Sequence, residues 1–555
     1  MDTRLIFAVF LWLSMVACAV FPFFQTAENQ RKNWLTRLLC FLGFLLVALP
    51  AWRWRSLTYN GEINVDEGTA IALALKYLHD PVPWRSVDGI TCGPLSTWVT
   101  LWAPLVGLKM TYATLRITGL LMVFISAVGT ALGMREILGR RLALLATLPP
   151  LTLLLTTLNF DFVTFAMEYL PVAICVWAVY LILRQHRSPG SVGAFLVGAL
   201  TGSLPFTKLQ AAPAGVVLFL ICSGVIYLQR SPQQTAYKRR LALLAAGGLF
   251  VPALILVPVA AAGVWHEFIY FYLVCGTTYR NEAQQISPLV FLLRGSADFG
   301  AYFVAVVSVS IFSMFGLQSS AATGLLRNWL VGFAIIAGYL GVTLLSVFRS
   351  GFSFPHYLLL LVFPLSLLMA WCLKGALLPF KQNDANAPRS LFSGFPALSV
   401  VLIVQGGMAV AEYSKINPQL LGHWGTEVNA VVPILLRYGK PGDSMMIWGW
   451  NNKLHAFTGF RPATRFIGLT YIIDPSSNYS RHRELFLSDL KADKPKLFVD
   501  AVDEFRWPTW PPGAQARHDM IPELSQWVRQ EYNLVADVQT APQRLPVRVY
   551  VRKDP

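Results

Sequence analysis

Charge is what this sequence has least of. Asp, Glu, Lys and Arg make up 13% of its 555 residues while 55% are hydrophobic, and the mean hydropathy is +0.52. A water-soluble domain of that composition would have to leave long apolar runs in solvent, so the soluble classes are excluded for most of the chain. There is no glycine-rich phosphate loop, which removes the common nucleotide-binding folds. No cysteine–histidine spacing suits a structural zinc site, and no internal repeat suggests a solenoid. Of seven cysteines, Cys18, Cys40, Cys175, Cys222 and Cys372 lie in apolar runs. Only Cys92 and Cys275 are left to meet outside them, and two thiols make no disulfide framework.

Long apolar runs are what it has most of. Stretches near the ~20 residues needed to cross hydrocarbon begin close to Leu5, Leu35, Leu115, Leu142, Ala166, Val192, Ala211, Leu241, Ala301, Leu330, His356 and Leu398. The expectation is a polytopic α-helical membrane protein with about 11–13 transmembrane helices. The run Leu5–Phe24 has the shape of a signal peptide but no clear small-residue cleavage site, so it reads as a retained span with an outward N-terminus. The net charge of +16 comes from short basic clusters between spans. These are Arg31, Lys32 and Arg37; Arg135, Arg140 and Arg141; Arg184 and Arg187; Arg230, Lys238, Arg239 and Arg240; and Lys374, Lys381 and Arg389. Such clusters mark the cytoplasmic face and call for no nucleic-acid partner. Counting spans between them puts the remaining polar segments, and the C-terminal region, on the extracytoplasmic side.

The most informative of those segments is Tyr59-Asn60-Gly61-Glu62-Ile63-Asn64-Val65-Asp66-Glu67-Gly68, within an outer loop covering about residues 55–110. Asn64 followed three residues later by Glu67 fits a capping box, and Asp66 would complement the helix dipole. The same adjacent carboxylates are the leading catalytic candidates, and the two readings are compatible, since a helix start holds a carboxylate rigid. Thr69 to Leu78 follows as a short helix expected to lie along the bilayer surface. Two prolines in His79-Asp80-Pro81-Val82-Pro83-Trp84-Arg85 turn the chain back, and Thr91 to Trp98 opens a second short apolar segment with Trp98 and Trp102 suited to an interface.

Farther along, Arg116 opens a span, where an arginine needs a carboxylate partner or must snorkel. The third outer segment, Asn159 to Pro171, carries Asp161 and Glu168 at membrane depth: a functional pair, or a helix cap and a partner for Arg116. Lys208 is one of few outward cations and can meet a phosphate or snorkel to headgroups. Tyr270, Tyr272, Tyr279 and Arg280 give the segment from Trp265 to Arg294 an amphipathic, interfacial character. His356 and Tyr357 begin a late span. Past about Ala411 the character changes. Met445–Trp448, Lys496–Val499 and Val547–Val551 read as strands, so 412–555 is expected to be a small extracytoplasmic α/β domain beside a transmembrane module over 1–411. Its Trp448, Trp450, Trp507 and Trp510 suit core packing or stacking on sugars.

Taken in order, these features resemble multi-span glycosyltransferases of the GT-C fold, in particular the protein O-mannosyltransferase and aminoarabinose-transferase superfamily (families 39 and 83). The matching parts run from about Trp54 to Trp371: Asp66-Glu67 in the first outer loop, two surface helices, Arg116, the acidic second loop, Thr207-Lys208, and His356-Tyr357-Leu358 at the start of a late span. The resemblance implies transfer of a sugar from a polyprenyl-phosphate donor to an acceptor hydroxyl on a glycan, lipid or protein. It implies a site at the periplasmic face of a bacterial inner membrane. In that family the first loop acid is held to be catalytic, which here is Asp66 with Glu67 supporting it, and a second acid would fall on Glu168 or Asp161. Many members carry a Lys-Pro-Pro-Leu-like motif where this chain has Cys92-Gly93-Pro94-Leu95. With that lysine missing, donor-phosphate binding turns to Lys208, Arg85 or Arg280, with Arg116, His356 and Tyr357 as further pocket candidates. The chemistry requires no cofactor, although a divalent metal would find ligands in Glu62, Asp66, Glu67 or His79. A transporter or flippase of lipid-linked saccharides, or a non-catalytic glycan-assembly protein, are the readings from other classes.

Overall fold

The computed structural model describes residues 13–17, 33–140, 142–157, 159–230, 235–276, 287–315, 323–349, 352–377, 425–473, 480–502, 516–540 and 544–553. Among these, seven helices are long and apolar enough to cross a membrane: Trp34–Trp52 (α1), Tyr112–Leu138, Tyr169–Arg187, Leu209–Leu228, Ala236–Ala261, Leu330–Arg349 and Pro355–Lys374. An eighth span results if Pro288–Arg294 and Ala297–Ile311, which meet at a 107° bend, are counted together. The protein is an integral membrane protein. Two further expected spans are apolar helices too short to cross alone, Ala143–Leu155 and Ser191–Phe206. The runs expected from Leu5 and Leu398 lie largely outside the described residues, as does the boundary near Ala411.

Close helix approach in the bundle depends on small residues, as it does wherever lipid supplies no hydrophobic drive between helices. Ser191–Ser203 packs against Ala236–Ala261 so tightly that a methyl group at Gly198 would strike the Leu244 carbonyl, and one at Gly247 the Phe195 carbonyl.

The C-terminal region is a mixed five-stranded sheet in the order β2-β1-β3-β5-β4. Its strands are β1 (Ser444–Trp448), β2 (Arg461–Pro462), β3 (Leu497–Asp500), β4 (Tyr532–Val538) and β5 (Val547–Arg552). β1 runs parallel to β2 and β3, while β5 is antiparallel to both β3 and β4. Alternation along β1 divides two cores. Met445 and Ile447 face Val431 and Leu435 of the helix Gly425–Tyr438, whereas Met446 and Trp448 face Phe486 and Leu490 and, beyond them, Phe268 and Phe271 from the membrane module.

That second core joins the sheet domain to the bundle, and it changes the expectation for the first outer loop. The helix after the acids is packed between other parts of the protein. It is α2 (Val65–His79), starting one residue before Asp66, and Gly68, Ala70 to Ala74, Lys76 and Tyr77 on it are all buried. Its partners are the sheet domain on one side and the start of α3 (Tyr112–Leu138) on the other. Trp450 Nε1 and Asn452 Nδ2 each donate to Thr69 Oγ1 at 3.0 Å, and Lys76 Nζ donates to the carbonyls of Pro462 and Ala463 at 3.0 Å. The alternating Ala and Leu of this helix suit burial between two bodies as well as an interface; periodicity alone does not tell them apart.

Asp88 sits at the same junction, its N–H donating to the Arg465 carbonyl at 3.1 Å. Burial pushes its carboxyl up to about 7, only partly offset by backbone N–H groups and Arg465. A carboxyl whose folded pKa is raised binds more protons folded than unfolded, so stability falls as pH rises from its ordinary value of 3.8 through 7. Asp88→Asn is expected to flatten that part of the stability-versus-pH curve, measured by thermal unfolding in nanodiscs. An unchanged slope would place the pH dependence elsewhere.

Candidate functional site

The site forms where four polar segments meet at one end of the bundle, and two of them are built alike. Asn64 caps α2, its Oδ1 accepting from the Asp66 N–H at 2.9 Å. Asn159 caps the single-turn helix α4 (Phe160–Val163), its Oδ1 accepting from the Asp161 N–H at 2.9 Å. Each Asn-X-Asp therefore puts a carboxylate at the second helical position, where the cap fixes the backbone and the helix end favours negative charge. Asn64 Nδ2 then reaches across to Asp161 Oδ1 at 2.5 Å. One asparagine thus holds the backbone of one acid and the carboxylate of the other.

The other two segments supply a lysine and a histidine. Lys208 pairs with Glu168, the residue preceding α5 (Tyr169–Arg187), and its Nζ lies 4.8 Å from the centre of the Tyr357 ring. His356 bridges the two acids of the second loop, with Nδ1 3.6 Å from Asp161 Oδ1 and Nε2 3.8 Å from Glu168 Oε1. The lysine is carried by an irregular turn. Cys92 and Lys208 form an isolated antiparallel bridge, flanked by Gly93 N–H to Thr207 O at 2.9 Å and Leu209 N–H to Thr91 O at 3.1 Å. Gly93 is required there, since a methyl group would collide with the Phe206 backbone.

Asp66 is half-buried and its carboxylate accepts no hydrogen bond from any described residue. Burial raises its pKa, with Glu168 and Asp161 adding to the rise and His356 and Lys208 opposing it. Glu168 goes the other way: Lys208 and His356 outweigh its burial and hold it below the usual value. Burial works against the Lys208 ammonium, yet Glu168, Cys92 and Asp66 together keep it above the ordinary lysine value. Two carboxylates of one site are thus shifted in opposite directions, Asp66 upward and Glu168 downward.

Glu67 has a different partner from its neighbour. Its two oxygens accept from Arg116 Nε and Nη2 at 2.7 and 2.6 Å, with both side chains essentially inaccessible. The remaining guanidinium protons go to the carbonyls of Ser56, Tyr59 and Gly61. Glu67 Oε2 also accepts from the Ile63 N–H at 3.0 Å. The arginine required at the start of α3 is thereby satisfied, and it fixes the loop that presents Asp66.

The chain matches no protein-family model and no curated protein sequence. Among solved structures it is similar to the archaeal oligosaccharyltransferase AglB from Archaeoglobus fulgidus in complex with an inhibitory peptide and a dolichol-phosphate. The identity is 11% over 85% of this chain and 69% of that one, with a TM-score of 0.45. A second Archaeoglobus fulgidus oligosaccharyltransferase structure, in complex with Zn and sulfate, gives 12% identity over 83% and 67%, with a TM-score of 0.41.

Other expected site residues fall elsewhere. Arg85 is exposed and engages Asp80, through Nε at 2.9 Å and Nη2 at 2.6 Å, apart from the acids of the site. Arg280 lies outside the described residues. Cys92 and Cys275 form no disulfide with each other, and Cys275 Sγ meets His482 Nε2 at 3.5 Å. The suggested metal ligands do not converge. His79 is exposed at the far end of α2, about 20 Å from Asp66 at 1.5 Å per residue. Glu67 is committed to Arg116, and Glu62 Oε1 accepts from the Gly68 N–H at 3.2 Å. Asn64 was the residue missed as a link between segments, and the repeated Asn-X-Asp was the available signal.

Proposed function

We propose that this protein is a membrane glycosyltransferase that moves a sugar from a polyprenyl-phosphate donor to an acceptor hydroxyl, with Asp66 as general base. The observation that carries the reading is the state of the Asp66 carboxylate: half-buried, raised in pKa, accepting no hydrogen bond from described residues, and facing a lysine and a histidine from two other segments. A carboxylate placed only for structure would be bonded, as Glu67 is.

In the proposed reaction the acceptor oxygen attacks the anomeric carbon as its proton passes to Asp66. The bond from that carbon to the phosphate oxygen breaks, and the phosphate leaves with the electron pair. Inversion follows from in-line displacement. Lys208 and His356 balance the charge developing on the phosphate, Lys208 exchanging part of its contact with Glu168 for the donor. A good leaving group needs no second carboxyl to protonate it, which is consistent with one proton-exchanging acid rather than a glycosidase pair. A site in loops at one end of the bundle suits a donor whose phosphate is borne on a lipid.

The test is transfer of radiolabel from a polyprenyl-phosphate sugar to a hydroxyl acceptor by the full-length protein in proteoliposomes. Product formation is expected. Movement of the intact lipid across the bilayer without transfer would favour a carrier. The acid-bridging asparagine gives a finer check. Asn64→Ser keeps an oxygen to cap α2 but removes the donor to Asp161, a hydrogen bond to a charged group worth roughly 1.5–3 kcal/mol. The expected result is roughly 10- to 100-fold slower transfer, with a loss of thermal stability no larger than that one hydrogen bond accounts for. Asn64→Ala should lose the cap as well, at about 1 kcal/mol. Equal rates for Asn64→Ser and wild type would remove the bridge from the account.

A further inference from the structure

The tightest cluster of exposed apolar side chains near the site is a turn that the proposed reaction does not use. After the short helix Trp102–Leu105 the chain presents Leu105, Val106 and Leu108, which are 80%, 66% and 50% exposed, followed by the exposed Lys109. Water-facing loops seldom concentrate large aliphatic residues in this way.

Three further features say what covers them. The first is backbone satisfaction. Every N–H from Leu105 to Leu108 is bonded inside the turn, to the carbonyls of Leu101, Trp102, Pro104 and Ala103 at 2.9 to 3.1 Å. Gly107 supplies the positive φ of 82° that closes it. Such closure is common at helix ends in water too, but it lowers the cost of carrying these donors toward hydrocarbon, where no water can bond them. The second is position. Trp102 Nε1 donates to Thr118 Oγ1 at 2.8 Å, which fixes the base of the turn beside the second turn of α3. The third is continuity. Ile117, Leu121 and Ile125, at four-residue spacing on that membrane-crossing helix, are also exposed, so the turn extends a lipid-facing stripe.

We infer that Leu105, Val106 and Leu108 are inserted into the hydrocarbon of the leaflet bordering the site, with the Lys109 ammonium at the level of the lipid phosphates. The partner is the bilayer itself. An apolar finger with a lysine at its base is the arrangement that holds a segment at this boundary. This turn lies ten residues beyond Leu95 in the segment that starts at the Cys92–Lys208 bridge, so its insertion sets the height of the site's rim against the membrane. The inference stands apart from the transferase reading, because it concerns where the turn sits and not what the site does.

The experiment places a genetically encoded ketone side chain at position 105, and separately at 108, of the full-length protein. A nitroxide is attached to it in nanodiscs of zwitterionic and anionic phospholipid. Collision with oxygen is compared with collision with a water-soluble nickel chelate. Positions 121, on the lipid-facing stripe, and 526, exposed on the sheet domain, serve as references. Oxygen-favoured collision at both 105 and 108, matching position 121, is the expected result. Chelate-favoured collision at either, matching position 526, would overturn the inference.

Discussion

Asp66→Asn is expected to lower the rate of transfer by about 10²- to 10⁴-fold, the usual worth of a positioned general base. The substitution is nearly isosteric and the second position of a capped helix accepts it. The Asn64 cap to the backbone N–H at position 66 remains, and no hydrogen bond to the carboxylate from a described residue is lost. Stability should therefore stay close to wild type or rise slightly, since a desolvated charge has been removed. The pH dependence carries a sign as well. Because burial and the neighbouring Glu168 and Asp161 raise the Asp66 pKa, the ionised base is lost as pH falls through a value above the ordinary carboxylate range. The acid limb of the wild-type profile should lie correspondingly high. Lys208→Met, which removes a cation opposing that rise, should move the limb higher still. A limb at the ordinary carboxylate position would assign the titration to another group.

The second large effect is on stability. Arg116→Met removes the only cation bonded to the buried Glu67 among the described residues, and leaves the carbonyls of Ser56, Tyr59 and Gly61 without that donor. Breaking one partner out of a buried ion pair costs about 3–5 kcal/mol, enough to unfold the first outer loop. Thermal unfolding in nanodiscs should show a large loss of stability together with lost activity. Replacing both partners, Arg116→Met with Glu67→Leu, should recover part of the stability, because the desolvation cost of the pair disappears with it. Activity should return less completely, since the backbone carbonyls held by Arg116 stay unbonded. If the single substitution had no effect on unfolding, the pair would be ornamental and Glu67 would be open to a direct part in the reaction.

These two predictions separate residues that are adjacent in sequence, and that separation was only half legible before folding. Asn64 three residues before Glu67 announced a helix start, and the cap is present, although the cap oxygen takes the Asp66 N–H and Glu67 reaches back to Ile63. Glu168 was the carboxylate suggested for Arg116, yet it pairs with Lys208. The partner of Arg116 is Glu67, because α2 packs beside the start of α3 and brings the two within reach. The spans were legible because burial in lipid demands length and apolarity, which composition displays directly. Strands β1, β3 and β5 were legible for a related reason, being short apolar runs in a polar region. β4 was not, since only Tyr532 of Tyr532–Val538 is buried and the stretch lacks an apolar run. Least legible was the docking of the sheet domain on α2. It rests on contacts between residues far apart in the chain, such as Lys76 with the carbonyls of Pro462 and Ala463, 386 and 387 residues away, and Leu73 and Tyr77 with Ile467, and no local pattern encodes such a pairing.

The central claim is that the carboxylate at position 66 performs chemistry on a donor held by other residues. The most direct measurement is therefore a paired one on wild type and Asp66→Asn in the same nanodiscs: equilibrium binding of a labelled polyprenyl-phosphate sugar, and single-turnover transfer from the bound donor. The account predicts that the substitution leaves donor affinity within a few-fold of wild type and removes the transfer step. Transfer at an undiminished rate by Asp66→Asn would contradict it, as would loss of donor binding and transfer together.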